Sequence, residues 1–409
     1  MEVNTERVII VGGGCSGLAL AQGLKKAGIP VTVLDKTSQE SMLTGRDWNM
    51  ATHWGLPDLA ELIPLQMYTR LPSATVDPHT PIRERDELRF LQGNSGELLL
   101  AVPVQNLHRL RRSKLRELLA EGHDVRYGCS LSRVDFSDDG QHVTVFDNAQ
   151  GMALECRMLV GADGASSFVR NQLLPHEATL QERIPYRSTF LQANYTAEQA
   201  RFLRSFHSLN IGAVHPIGRF DFCGMQNVPD PDRPETWTFF FNITWPLSLE
   251  TQEGMDASPE ASLLIVKDLA KDFYEPWRSG IGWVNPDAAD TWNVWAFTMG
   301  IWDPRTPGHQ WDNKDGRITL VGDAAHTMTV QRAQGLNHAL RSARELRDAI
   351  KQSGDGEVSR KEAIDVHESS MQARAGAEVE LSKANTEMLH DWEKFKESPL
   401  YRHNMRRAN

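Results

Sequence analysis

The stretch RVIIVGGGCSGLALAQGLKKAGIPVTVLD, residues 7–35, sets two short apolar runs on either side of a helical repeat. Residues 7–11 are a β-branched run that stops at glycines, which reads as a buried parallel strand. From 18 to 28, Leu18, Ala21, Leu24 and Ala27 recur on one helical side, and Gly28 supplies the stop. Residues 31–35 are a second buried strand, so the chain opens with a β-α-β unit. Between the first strand and the helix stands Gly12-x-Gly14-x-x-Gly17. In that register the first glycine makes a tight turn and the second lets a pyrophosphate approach the backbone. The third lets helix and strand pack closely, and the phosphates meet the positive helix N-terminus. Asp35 follows eighteen positions after Gly17, at a strand end where a carboxylate accepts hydrogen bonds from a ribose; Lys36 stands beside it. An acid there favours a free 2′-hydroxyl, so this cleft is expected to take FAD or NAD(H) rather than NADP(H).

Working outward, 409 residues with 40% hydrophobic and 24% charged content make a globular chain long enough for two or three domains. A formal charge of -10 argues against a nucleic-acid partner. The basic run RLRRSKLR at 109–116 reads as the solvated face of a helix. Cys15, Cys129, Cys156 and Cys223 lack metal-ligand spacing, so no metal site is expected and the thiols read as reduced. The N-terminus shows no export signal and no apolar run spans a membrane, so a cytoplasmic protein is expected.

Residues 112–122 read as an amphipathic helix, and 142–147 with 153–163 as a hairpin whose second strand ends in an acidic tip. Between about 180 and 300, alternating aromatic runs such as TWTFFFNITW (236–245) and TWNVWAFTMGIW (291–302) predict an antiparallel sheet. Eight of the eleven tryptophans lie between 237 and 311, which places a large apolar surface there. Helical spacing returns at 336–350, and the tail from 356 to 396 is helical and charged.

Three further segments carry chemistry: RSKLRELL (112–119), GADGASSFVR (161–170) and VGDAAHTM (321–328). In this order, with the glycine loop, they resemble the single-component FAD-dependent monooxygenases of the p-hydroxybenzoate and salicylate hydroxylase type. The likeness runs through the nucleotide-binding part and is weaker across 180–300. It implies an α/β fold in which a Rossmann-like FAD-binding domain is interleaved with an antiparallel-sheet substrate domain and followed by a C-terminal helical segment. The expected division is 1–75, 100–178 and 305–355 for the FAD domain, 76–99 and 179–304 for the substrate domain, and 356–409 for the helical segment.

Position by position, the resemblance places the FAD pyrophosphate on Gly12, Gly14 and Gly17, and the adenosine ribose on Asp35, where most relatives have Glu. Arg112 would reach the phosphate or ribitol region, and Arg46 belongs to a loop against the flavin. Asp163 and Gly164 belong to a motif tied to FAD and NAD(P)H binding, which Arg170 either joins or braces. Asp323 would accept a hydrogen bond from a ribityl hydroxyl. The helix opening at Gln334, Gly335, Leu336 and Asn337 would aim its N–H groups at the flavin pyrimidine edge. The implied reaction draws on NADPH or NADH to reduce FAD and on O2 to form a C4a-peroxide, which passes one oxygen atom to a small, aromatic or polycyclic substrate.

This chain departs from the pattern G-D-A-A-H-P-x-x-P-x-x-G-x-G of those relatives. Thr327 and Val330 stand at the two prolines and Ala333 at a glycine. The departures admit either the same loop with a slightly different pocket or an altered oxygen chemistry. On the substrate side, Arg187 is a candidate to bind a phenolate or carboxylate beside Tyr186, and His215 a candidate base. His53 and Trp54 either line the flavin or pack under its loop. Hydroxylation, epoxidation and Baeyer–Villiger insertion stay open, as does the choice of monomer or homodimer. The alternatives on the same fold are an FAD-dependent oxidase or reductase and a flavin-binding protein. GWVNPD at 282–287 fails the halogenase motif.

Overall fold

The computed structural model describes residues 2–3, 6–44, 46–399 and 401, so residues 402–409 of the expected helical segment lie outside it. Two compact units are each assembled from three pieces of chain. The first comprises 1–74, 112–182 and 301–382, and the second 75–111, 183–300 and 383–409.

The first unit is built on a five-stranded parallel sheet. Its strands are β1 (Val8–Val11), β2 (Val31–Leu34), β3 (Asp124–Arg126), β4 (Met158–Gly161) and β5 (Ile318–Leu320). They lie in the order β5-β4-β1-β2-β3. Burial on both faces explains the unbroken apolar runs: every residue of β1 and β5 is buried. The helices that matter for the site are α1 (Cys15–Lys26), α2 (Leu56–Leu62), α3 (Arg112–Ala120), α4 (Phe168–Leu173), α5 (Gly335–Gly354) and α6 (Arg360–Leu389). The stretch 153–163, expected as one strand, is two. Met152–Cys156 pairs with Val143–Asp147 in a separate four-stranded sheet, and β4 enters the parallel sheet. The chain passes between the sheets at Arg157, whose N–H donates to Arg7 O at 3.0 Å.

The second unit is a seven-stranded sheet in the order 292–301, 182–194, 238–246, 219–227, 210–215, 85–92, 98–105. Strand Asn210–His215 runs parallel to Arg85–Gln92, whereas 182–194 with 238–246, 219–227 with both 210–215 and 238–246, and 85–92 with 98–105 pair antiparallel. One face carries Leu191, Ala193, Phe239, Phe241, Ile243 and Trp245, packed on Leu203, Leu263, Val266 and Trp277 from three helices and on Phe273 in the connection between the last two. The boundary falls at 111/112 rather than the expected 99/100, because Leu98–Gln105 forms a hairpin with Arg85–Gln92. Likewise the expected separate tail is shared, 356–382 going to the first unit and the remainder to the second.

Candidate active site

Glycine geometry at the end of β1 leaves no room for side chains on the inner side and much on the outer. Gly12 is at φ +111, and its N–H donates to Leu34 O at 2.7 Å. A Cβ on Gly12 would fall 2.3 Å from Ala162 O, and one on Gly17 2.1 Å from Gly12 O. Gly14 is different: a Cβ there would meet only Ala162 O, at 3.9 Å. Gly14 is also the N-cap of α1, with no capping side chain and no acid in the first turn. The first N–H groups of α1 are therefore presented to an anion above Gly14.

Asp35 is 7% exposed and anchors this loop from inside. Its Oδ2 accepts from Gly13 N–H at 2.7 Å and from Arg116 at 3.4 Å; its Oδ1 accepts from Thr37 N–H at 2.8 Å and Thr37 Oγ1 at 2.5 Å. Arg116 Nε also donates to Gly13 O at 2.7 Å. Four donors thus occupy the carboxylate, while Lys36 is exposed. Arg116 is buried, as is Arg109, so the basic run 109–116 is no solvated face. Burial pulls the Arg109 guanidinium down to about 10, and it lies over the Phe222 ring at 5.0 Å.

α3 begins at Arg112, where Asp47 caps the helix by accepting from Ser113 N–H at 2.9 Å and Ser113 Oγ at 2.7 Å. The Arg112 N–H donates to Trp48 O at 3.0 Å, and its guanidinium lies over the Trp48 ring at 4.3 Å. Burial lowers the Arg112 pKa, against the charges of Asp47 and Asp35. Asp323 sits in the turn Gly322–Ala324 directly after β5. Burial raises its carboxyl above the usual range, and Arg112 pulls it back down. Yet the residue is solvent-exposed. A carboxyl that water reaches while the surrounding protein desolvates it is one that lines a cleft. Gly322, at φ +64, packs this turn against α1: a Cβ would lie 2.7 Å from Ser16 Oγ. The α1 mouth, Arg112 and Asp323 therefore share one hollow. Cys15 beside it has its thiol pushed up to about 11 by burial, which keeps it protonated.

Asp163 and Ser167 cap α4. Asp163 accepts from Ser167 Oγ at 2.5 Å and Val169 N–H at 3.1 Å, and Ser167 Oγ accepts from Arg170 N–H at 2.9 Å. Burial raises the Asp163 carboxyl pKa, against these donors. Gly164, at φ +81, has open space around its Cα. Arg170 is 1% exposed and donates to the carbonyls of Thr179, Ala324 and Ala165 at 3.0, 2.9 and 2.5 Å. It braces the 163–170 loop to the Asp323 turn, which answers the alternative left open for it.

At the mouth of α5, Gln334 is the N-cap, and neither a capping side chain nor an acid in the first turn occupies the N–H groups. Gly335 has nothing within 4 Å of a built Cβ, and Leu336 is buried beneath. Asn337 is fully buried and its Oδ1 accepts from Thr52 Oγ1, His53 N–H and Gly55 N–H at 3.0, 3.1 and 3.0 Å. Its side chain is thus committed to the 52–55 loop, leaving only its backbone for a ligand. Trp54 Nε1 donates to Gln334 Oε1 at 2.7 Å, and its ring meets His338 edge-on at 4.9 Å. Arg46 is exposed in an irregular stretch.

Similarity to known proteins agrees with this geometry. The FAD binding domain family model matches residues 5–48 and 299–381, which span the glycine loop, the Asp323 turn and the α5 mouth. The FAD-dependent monooxygenase phnB of Penicillium herquei is 35% identical over 399 residues, 97% of this chain and 94% of that protein. This chain belongs to the FAD-dependent monooxygenase family. The monooxygenase cctM of Talaromyces islandicus is 32% identical to it over 98% of both proteins. The enzyme's fold matches HpxO of Klebsiella pneumoniae, solved with FAD and uric acid, at TM-score 0.72 and 18% identity, covering 97% of this chain and 92% of that one. The residues present fit an FAD: two uncapped helix N-termini, an open Gly335 and a carboxylate lining the same hollow as α1.

On the sheet of the second unit, the monooxygenase departs from expectation. Arg187 is buried cross-strand from Trp245, on the helix-packed face, and its Nε has no partner among the described residues. Burial lowers its pKa. The aromatic platform lies on the opposite face, so Arg187 and the platform cannot grip the same side of one substrate. There Phe190 stacks on Trp295 at 5.3 Å and 3°, and on Phe297 at 5.6 Å and 16°, with Phe240 at 5.2 Å. Cross-strand Asn242 donates to Ser188 Oγ at 2.8 Å on that face. His215 has a structural task instead of a free base: Nε2 donates to Asp272 O at 3.1 Å and Nδ1 accepts from Ile217 N–H at 3.2 Å. Its ring packs on Phe273 at 5.0 Å, and burial lowers its pKa. Among the described residues no cluster of three His, Cys, Asp or Glu could hold a metal, and no helix is long and apolar enough to cross a membrane.

Proposed function

We propose that the enzyme takes electrons from NADPH or NADH and inserts one oxygen atom of O2 into a small, planar aromatic or polycyclic substrate. The observation that carries this reading is the hollow shared by the α1 mouth, Arg112 and Asp323, with a second uncapped helix at Gln334. Bound FAD, once reduced, supplies the activated oxygen. The chain's own residues would divide the work as follows. Gly12, Gly14 and Gly17 admit the pyrophosphate to the α1 N–H groups, and Asp35 holds that loop in shape with the ribose edge toward Lys36. Arg112 offsets phosphate charge, and Asp323 accepts from a ribityl hydroxyl. The N–H groups of Gly335, Leu336 and Asn337 favour negative charge at the flavin's pyrimidine edge. Asp163 and Gly164 shape the neighbouring loop, with open space at Gly164 for a nicotinamide dinucleotide.

For the substrate, the platform of Phe190, Trp295 and Phe297 offers stacking, and Asn242 with Ser188 offers hydrogen bonds on the same face. A second reading, a flavin oxidase or binding protein with altered oxygen chemistry, draws on the left-handed Ala333 in the loop before α5. The test is to purify the protein, look for a flavin spectrum, and follow NADPH and NADH oxidation with candidate aromatics. A protein that neither retains nor rebinds FAD refutes the reading. One that binds FAD but is reduced by neither nicotinamide, with any aromatic, favours the second.

A further inference from the structure

Residues 327–334 join the Asp323 turn to the mouth of α5 and contain neither proline nor glycine. Ala333 within them is left-handed at φ +52, a conformation that costs an alanine about 1–2 kcal/mol. Val330 is exposed, and no side chain caps the helix that follows. Fixing such a segment costs roughly 1–2 kcal/mol of backbone entropy per residue. Its front edge is tied by Thr327 Oγ1 donating to Asp323 O at 2.8 Å. Behind it stands α6. Thr329 Oγ1 donates to Ser382 O at 2.8 Å, and Arg332 Nε donates to Glu378 Oε1 at 2.7 Å. Ser382 Oγ donates to the same carboxylate oxygen at 3.2 Å, and the other lies 3.9 Å from His338 Nε2. One turn earlier on α6, Arg374 donates to His338 Nδ1 at 3.0 Å, Ser342 Oγ at 3.1 Å and Glu345 at 3.0 Å. Glu378 therefore touches the loop and faces the helix, and its side chain is only 12% exposed.

We propose that Glu378 is a positioning residue: it fixes the 327–334 loop, and through it the N–H groups at the mouth of α5, in the shape the flavin ring requires. The inference rests on the flavin reading above. Glu378 is matched by the opposite charge of Arg332, so the clamp acts through geometry rather than by adding net charge.

The experiment compares Glu378→Gln, Arg332→Gln and Glu378→Gln/Val330→Pro with wild type by amide hydrogen exchange across 327–334, FAD affinity and flavin midpoint potential. Positioning predicts exchange at least about tenfold faster and FAD binding about tenfold weaker in both single variants, with potentials shifted in the same direction. Proline at exposed Val330 stiffens the chain directly and should recover most of the protection and affinity. Wild-type exchange in Glu378→Gln overturns the proposal. So do potentials that move in opposite directions, which mark a charge effect, and so does failure of Val330→Pro to rescue, which marks plain fold support. Should Glu378→Gln not fold, Arg332→Gln breaks the same contact from its more exposed end and carries the test. If wild type binds no FAD the flavin reading falls, while the exchange data still judge the clamp.

Discussion

Three imidazoles are buried in the first unit: His326 (on the Asp323 turn), His338 (on α5) and His367 (on α6). Burial, with Arg374 nearby, drives them down to about 3, 4 and 3. An unfolded histidine titrates near 6.5, so between that value and about pH 4 the unfolded chain binds three more protons than the folded one. The stability the neutral rings allow is present above pH 6.5 and is lost as pH falls towards the folded values. At pH 5 each group costs about 2 kcal/mol relative to pH 8, or about 6 kcal/mol for the three, comparable with the whole stability of many domains. Carboxyls with raised values, Asp163, Asp323 and Glu368, work in the opposite sense. A comparison of variants cancels them. His367→Leu is the informative change, because neither ring nitrogen has a partner among the described residues and no neighbour is orphaned. Denaturant titrations of both proteins at pH 8 and pH 5 should show the acid loss shrinking by about a third, about 2 kcal/mol, in the variant. An equal loss in the two proteins would refute the reasoning.

Three further outcomes are expected. Asp323→Asn should weaken FAD binding about 10- to 100-fold by flavin fluorescence titration, since a charged acceptor contributes about 1.5–3 kcal/mol. Arg170→Ala leaves the Thr179, Ala324 and Ala165 carbonyls without their shared donor and should cost about 3–5 kcal/mol in denaturant unfolding. Ala333→Gly, at φ +52, should stabilise the protein by about 1 kcal/mol, read as a higher midpoint with an unchanged slope.

Local patterns made the parallel sheet legible. Apolar runs at 8–11 and 31–34, the glycine spacing and the acidic strand tips at Asp163 and Asp323 all stand where such a sheet needs them. Hidden was whatever depends on distant partners. Arg116 looked like one more surface charge in RLRRSKLR, yet it is buried by Asp35 and Gly13, 81 and 103 positions away. Its spacing of four from Arg112 on one helix was the available signal. The face on which Arg187 lies is set by strand register, which a single sequence does not state. Occupation of both His215 nitrogens follows from the Ile217 turn and from Asp272, more than fifty residues on. Departures at Thr327 and Val330 were visible; that α6 would hold the loop was not.

The order in which the parallel sheet is assembled bears on synthesis. β5 takes its edge place beside β4 only when residue 320 exists, and α5 follows it. At about 5–20 residues per second, a ribosome needs roughly 16–64 s to reach that point. During that time the glycine loop, already made, has neither Asp323 nor α5 to complete its hollow. A nascent chain released before residue 318 would therefore present the apolar β4 as an uncovered sheet edge, a natural client for a chaperone.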